Sequence, residues 1–207
     1  SIRRQRQDVY KRQFLYETPL AQIKENEMRK ILLVIMIVSG FLFAQNEAYD
    51  ALKVLEPYIG KWQIKESSYG FFEGLPENTE MINSVEYSWI TDRSAILETW
   101  EARTLDGKQR INVGSILYTL DPATNSIKTK HFGYDGNVYW TGKGWIEKKK
   151  NSLALHVEEL TINGTHTTYT NEFRILNKNT FQSQFIDINQ GGKPIENHPK
   201  RKFKKEK

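Results

Sequence analysis

The sequence contains no cysteine, and this absence removes several kinds of chemistry at once. Without cysteine there is no disulfide, no thiolate metal site, no cysteine nucleophile and no lipidated N-terminal cysteine. A domain of this composition must therefore be stabilised by its own hydrophobic core, which about 160 residues can supply.

The short motifs of common catalytic sites are absent too. The chain has no HExxH metal motif, no nucleophile elbow, no phosphate-binding loop and no dinucleotide-binding fingerprint. No segment repeats at a fixed period, which disfavours a propeller. These absences lead us to expect no cofactor and no metal site.

Positive charge is scarce in the main part of the chain, although the formal net charge is +5. Residues 46–207 hold 22 basic and 21 acidic side chains, and six of the basic ones lie in the segment 200–207. A nucleic-acid-binding domain usually carries its positive charge on the folded body. We therefore expect no nucleic-acid partner, and we interpret the basic C-terminus as a solvated tail.

One long apolar run, Ile31 to Phe43, follows the basic pair Arg29-Lys30 and precedes Ala44. This order is typical of a secretory signal peptide, which we predict over residues 28–45. The run would measure about 20 Å as a helix, which is short for a hydrocarbon core of about 30 Å. The expected product is a bacterial-type exported protein, periplasmic or extracellular, with no stable membrane span after cleavage.

An uncleaved anchor is the alternative, because Leu42 stands at the −3 position and disfavours cleavage. Signal peptides begin at the start methionine, which makes Met28 the predicted start. Residues 1–27 are then expected to be a non-native or disordered extension. Residues 46–207 are predicted to form a single domain with a basic C-terminal tail.

After a short helix predicted over 46–57, the chain consists of short runs rich in β-branched and aromatic residues. Turn signals separate the runs, including Asp106-Gly107 and Asn163-Gly164. Because strands joined by tight turns pair antiparallel, the pattern predicts an all-β, up-and-down barrel of about 8–10 strands, with a two-sheet sandwich as the alternative. The predicted strands are 60–69, 80–90, 94–104, 109–120, 126–133, 137–147, 152–161, 165–175, 179–188 and 199–205.

Alternation along each predicted strand indicates which side chains face inward. Gly142 and Gly144 share an inner face, where glycine would bend the strand or leave interior volume. The inward aromatic residues either line an apolar cavity or fill the core. The predicted ligand-binding residues are Tyr87, Trp89, Trp100, His131, Trp140, Tyr169 and Phe173.

Glu98 and His131 are the two candidates for catalysis. Glu98 faces inward if Trp100 does, and a buried carboxyl group with a raised pKa suits an isomerase or hydrolase. Alternatively Leu97 faces inward and Glu98 is solvated. His131 lies on an otherwise apolar face, where it is either a pocket base or a hydrogen-bonded histidine of the barrel wall.

His156 and Glu158 share one face of a predicted strand, which could serve a metal or acid–base site. The better inward set on that strand is Leu153, Leu155 and Val157. The pair is therefore interpreted as part of an exposed polar face.

The segment Gly60-Lys61-Trp62 places a Gly-x-Trp motif at the start of the first strand, just after the helix. This arrangement resembles the start of lipocalin-like (calycin) barrels, in which the tryptophan closes the base beneath a ligand cavity. In many lipocalins a basic residue supports that tryptophan, and Arg174 or Arg201 lies late enough in the chain for this role. The segments 120–124 and 131–136 resemble exported bacterial lipocalin-like domains of uncharacterised function. The resemblance covers about residues 50–205.

These observations favour an exported lipocalin-like protein, a monomer or dimer, that binds a small apolar or amphipathic ligand in its barrel. One alternative is a structural or interaction protein of the cell envelope with a filled barrel. Another is a small-molecule isomerase or hydrolase that uses Glu98 and His131. No motif establishes an enzyme, and binding is favoured over catalysis.

Overall fold

The computed structural model describes residues 27–28, 30–31, 47–68, 75–76 and 78–206. The chain divides into two units, Ser1–Ala44 and Gln45–Lys207, and the strands given below belong to the second. The predicted signal peptide over 28–45 and the predicted extension over 1–27 lie almost entirely outside the described residues. Within the described part, no helix has the length and hydropathy that a transmembrane helix needs.

A short helical segment precedes the first strand, as predicted. Residues 47–52 are α-helical and continue into a 3-10 helix, Lys53–Tyr58. Leu52 and Leu55 are fully buried, so the apolar side of this segment faces the interior.

The described residues then form eleven strands, and all except one two-residue strand correspond to predicted strands. They are β1 Gly60–Ser67, β2 Glu80–Ile90, β3 Ala95–Thr104, β4 Arg110–Asp121, β5 Ser126–Asp135, β6 Val138–Lys148, β7 Leu153–Thr161, β8 His166–Asn177, β9 Thr180–Gln190, β10 Lys193–Pro194 and β11 Arg201–Lys205.

Ten of these strands close into one antiparallel barrel. β1 to β9 pair in chain order, and β11 lies between β9 and β1 and completes the ring. The two-residue β10 pairs only with β9. The prediction of an antiparallel up-and-down barrel is thereby confirmed.

The basic C-terminal segment differs from the solvated tail that its composition suggested. Its residues 201–205 are β11, whose central Phe203 is buried while Lys202 and Lys204 on either side are exposed. The alternation of one apolar residue with lysines therefore makes this segment a barrel strand whose outer face is exposed to solvent.

The helical segment closes one end of the barrel. Leu52, Leu55 and Tyr58 belong to one hydrophobic cluster with interior side chains at the adjoining strand ends, such as Trp62 and Ile96. The indole Nε1 of Trp62 donates a hydrogen bond of 2.6 Å to the carbonyl oxygen of Tyr58. Apolar side chains of the described residues fill this end.

Candidate functional site

An interior cavity of about 420 Å³ occupies the part of the barrel away from the helical segment. Its lining reaches the strand ends that carry Met81, Asn112, Asp135 and Gln190, opposite the packed end. Five of the predicted ligand-binding residues line it: Tyr87, Trp100, Trp140, Tyr169 and Phe173.

The other two predicted residues, Trp89 and His131, are not in the lining. Trp89 lies near the helical segment, where its ring is 5.4 Å from that of Tyr49. His131 is 2% exposed, and its Nε2 is 2.6 Å from Oγ1 of Thr129 within the barrel wall. The structure thus places His131 behind the cavity surface, as a hydrogen-bonded wall residue.

Two stacked indoles form one wall of the cavity. The rings of Trp100 and Trp140 are 5.8 Å apart at an interplanar angle of 16°. Two glycines separate these residues across neighbouring strands. Trp100 pairs with Gly114, Gly114 pairs with Gly133, and Gly133 pairs with Trp140. A Cβ at Gly114 would lie 2.3 Å from Trp100, and one at Gly133 would lie 2.6 Å from Trp140. Glycine at both positions therefore makes the space in which the indoles lie flat against the sheet.

Gly142 and Gly144 do not leave the empty interior volume that their inward positions suggested. A Cβ at Gly142 would lie 2.8 Å from Cγ of Glu159, and one at Gly144 would lie 2.8 Å from Oγ1 of Thr129. Neighbouring side chains thus fill the space over both glycines. Gly142 in particular lets the Glu159 side chain cross the strand toward His131.

Glu98 faces inward together with Trp100, which excludes the alternative in which Leu97 faces inward. Its Oε2 accepts a hydrogen bond of 2.5 Å from the Tyr118 hydroxyl. Burial raises the pKa of Glu98 to about 7, although the hydrogen bonds from Tyr118 and Tyr87 act in the opposite direction. A carboxyl group of this kind can hold or release a proton near neutral pH.

Two further acidic side chains, Glu159 and Asp135, lie at the end of the cavity away from the helical segment. Glu159 accepts a hydrogen bond of 2.7 Å from the Tyr169 hydroxyl, and its Oε1 is 4.0 Å from Nδ1 of His131. Burial and the neighbouring charge of Glu159 raise the pKa of Asp135 to about 6. Both carboxyl groups line the cavity.

The basic side chain of the lining is already paired. Arg201 donates hydrogen bonds to Glu66 from Nε, at 2.9 and 3.1 Å, and from Nη2, at 2.6 Å. Both side chains are largely buried. His198 also lines the cavity, and burial together with the Arg201 charge lowers its pKa to about 4, so it is neutral at pH 7.

The pair His156 and Glu158 lies on the outer face, as the alternation of β7 indicated. His156 bonds to Glu147 at 2.8 Å, and Glu158 pairs with Lys143 at 3.2 Å. Within the described residues, no group of three or more His, Asp and Glu side chains is arranged to hold a metal ion.

The Gly-x-Trp segment has a basic partner that differs from both residues considered from the sequence. Lys205 is the cross-strand neighbour of Trp62, and its Nζ lies 5.0 Å from the centre of the Trp62 ring and donates a hydrogen bond of 2.9 Å to the Ile59 carbonyl. Gly60 has a φ of 120°, and a Cβ there would lie 2.9 Å from Cε of Lys205. The glycine is required both by its backbone angle and by the close approach of the lysine.

Sequence reasoning missed most of the polar lining. Glu66, Asp135 and Glu159 each continue the inward alternation of a strand to its last residues. Extending that alternation past the apolar positions of each strand identifies all three. Arg201 follows the same rule, since it lies two residues before the inward Phe203.

No protein-family model matches this chain, and no curated protein matches it. Among solved structures, the crystal structure of Rv2717c from M. tuberculosis is similar, with a TM-score of 0.51 and 10% sequence identity over 76% of this chain and 98% of that chain. At this level of identity, the similarity shows a shared barrel fold alone.

Proposed function

We propose that this chain is an exported, lipocalin-like protein that binds one small amphipathic molecule inside its barrel. The observation that carries the proposal is the cavity of about 420 Å³, which has an aromatic wall and a few convergent polar groups. Small-molecule sites have this character, with volumes of roughly 300–1,000 Å³ and mixed apolar and polar linings.

Two features support the lipocalin-like and exported parts of the proposal. Trp62 lies at the closed end, next to the helical segment, with Lys205 over its ring, as the resemblance implies for a barrel base. The apolar run Ile31 to Phe43 after a basic pair supports export.

The alternatives have less support. A filled barrel would leave no room for the cavity beside the Trp100–Trp140 stack. An enzyme that uses Glu98 and His131 together would need both at the cavity surface, and His131 is not in the lining.

Binding of the uncharged dye Nile red to the full chain tests the proposal. The dye should bind with one site per chain and become strongly fluorescent. Trp140→Leu should weaken binding by about tenfold, because it removes half of the indole wall. The matched control is Trp145→Leu on the same strand, since Trp145 is 42% exposed and stacks on His156 outside the barrel. Absence of dye binding, or equal loss in both variants, would overturn the proposal.

A further inference from the structure

The cavity has an excess of acidic groups once its ion pair is set aside. Arg201 is held by Glu66 through three hydrogen bonds, so its charge is largely neutralised. The lining then retains the carboxyl groups of Glu98, Asp135 and Glu159, and among the described residues it contains no lysine and no second arginine. A carboxylate ligand would have to compete with Glu66 for Arg201, while a cation meets no such competitor.

Glu159 is close enough to Asp135 for its charge to affect the protonation of the Asp135 carboxyl group. The charge of Glu159 is one of the causes that raise the pKa of Asp135, after burial itself. Two negatively charged carboxylates that line the same cavity repel each other, which is electrostatically unfavourable. A cation placed between them would relieve this repulsion, which gives it a binding energy that a neutral ligand lacks.

Unpartnered polar atoms provide a second and independent observation. Asn83, which is 6% exposed, and Asn112 both line the cavity, and neither Oδ1 has a hydrogen-bond partner among the described residues. Asn112 is the direct cross-strand neighbour of Asp135. The two amide oxygens are acceptors, while Nε1 of Trp140, the third unpartnered atom of the lining, is a donor. The two acceptors favour a ligand that donates hydrogen bonds. An ammonium group is such a donor and has no acceptor of its own.

The aromatic wall lies next to these groups. Trp140 is 4% exposed, and its Nε1 is near enough to Asp135 to lower the pKa of that carboxyl group, although it makes no regular hydrogen bond. The indole face shared with Trp100 offers a flat apolar surface for the body of a ligand. Indole faces also attract cations.

We infer that the ligand carries an organic ammonium group, which binds between Asp135 and Glu159 while its apolar body lies against the stacked indoles of Trp100 and Trp140. This inference rests on the proposed binding function and names the chemical class of its ligand. The occupant is a protonated amine with an aromatic or aliphatic body small enough for the cavity.

Three probes of equal length and different charge test this class: 4-phenylbutylamine, 4-phenylbutanol and 4-phenylbutyrate. Their affinities for the full chain are measured by isothermal titration calorimetry at pH 7.5. The amine should bind about tenfold or more tightly than the alcohol, and the butyrate should bind most weakly, because a charge-assisted hydrogen bond adds this much.

Two substitutions locate the amine and one serves as the control. Glu159→Gln and Asp135→Asn keep the side-chain shape. Each should weaken the affinity for the amine by about tenfold and leave the affinity for the alcohol unchanged. The control is Glu158→Gln, the next residue along β7, which faces outward and pairs with Lys143. It should leave all three affinities unchanged. Circular dichroism verifies that each variant is folded.

The outcomes separate the two proposals. Equal affinities for amine and alcohol, or tighter binding of the butyrate, would overturn the ammonium inference and leave the binding cavity in place. If none of the three probes binds and Nile red does not bind either, both proposals fail.

Discussion

Glu98 carries a carboxyl group that titrates near neutral pH inside an aromatic cavity. Its folded-state pKa of about 7 lies above its ordinary value of 4.5 because burial disfavours the charged form. The folded protein therefore holds this proton more tightly than the unfolded chain does. The contribution to stability is fully present below about pH 4.5 and is lost as the pH rises toward 7.

Replacing Glu98 with glutamine should remove this dependence. For the unmodified chain, the shift from 4.5 to about 7 corresponds to a fall of about 3 kcal/mol in the free energy of unfolding across that range. The measurement is urea unfolding between pH 4.5 and 8. In Glu98→Gln this part of the fall in the free energy of unfolding should be absent, whereas Glu101→Gln on the same strand should still show it. An unchanged pH profile in Glu98→Gln would show that this carboxyl group is not the cause.

The interior acids show what a residue pattern reveals and what it hides. Glu158 and Glu159 are identical in type and adjacent, yet one is outside and the other lines the cavity. Leu153, Leu155 and Val157 face inward at every second residue, and the same period continues to Glu159, which therefore faces inward too. The approach of Glu159 to His131 could not be predicted. It depends on Gly142 of the neighbouring strand, whose lack of a side chain leaves room for Glu159.

At the scale of elements, local turn chemistry made the strands predictable. Asp106-Gly107 and Asn163-Gly164 end their strands as expected, with φ of 71° and 80° at the two glycines. The strand predicted over 109–120 accordingly spans Arg110–Asp121. The two-residue β10 was not predicted, because it is too short to show any alternation.

Barrel closure depends on contacts between the two ends of the domain, which no local pattern contains. β11 joins β1 through main-chain pairing and through the buried pair Arg201–Glu66. Arg201 also lies 5.0 Å from the ring centre of Phe203. The sequence showed a weak last strand, but its partners follow only from the closed ring.

Breaking this ion pair from one side should be costly. Arg201→Met leaves Glu66 buried without a partner, and we expect a loss of about 3–5 kcal/mol in the free energy of unfolding. Adding Glu66→Gln should recover most of that loss, because the uncompensated charge disappears. The neighbouring Lys202→Met, on the exposed face, should cost little. Urea unfolding of the unmodified chain and the three variants measures these differences. A loss in Arg201→Met no larger than that in Lys202→Met would contradict the expectation.

At the scale of the whole molecule, the fold separates stability from binding. The helical segment and the cluster around Trp62 fill one end, so the barrel is held together without disulfides. The other end keeps a cavity in which aromatic walls meet carboxyl groups. The ring of ten strands closes through β11, which pairs with β1 at Trp62 and Gln63 and with β9 over residues 180–183.

Native mass spectrometry of the full chain, purified gently from a bacterial host, tests the central claim most directly. We predict that the protein carries a reproducible extra mass of one small molecule, which Trp140→Leu removes and Trp145→Leu retains. A bare protein mass in all three samples, together with no uptake of Nile red, would contradict a ligand-binding barrel.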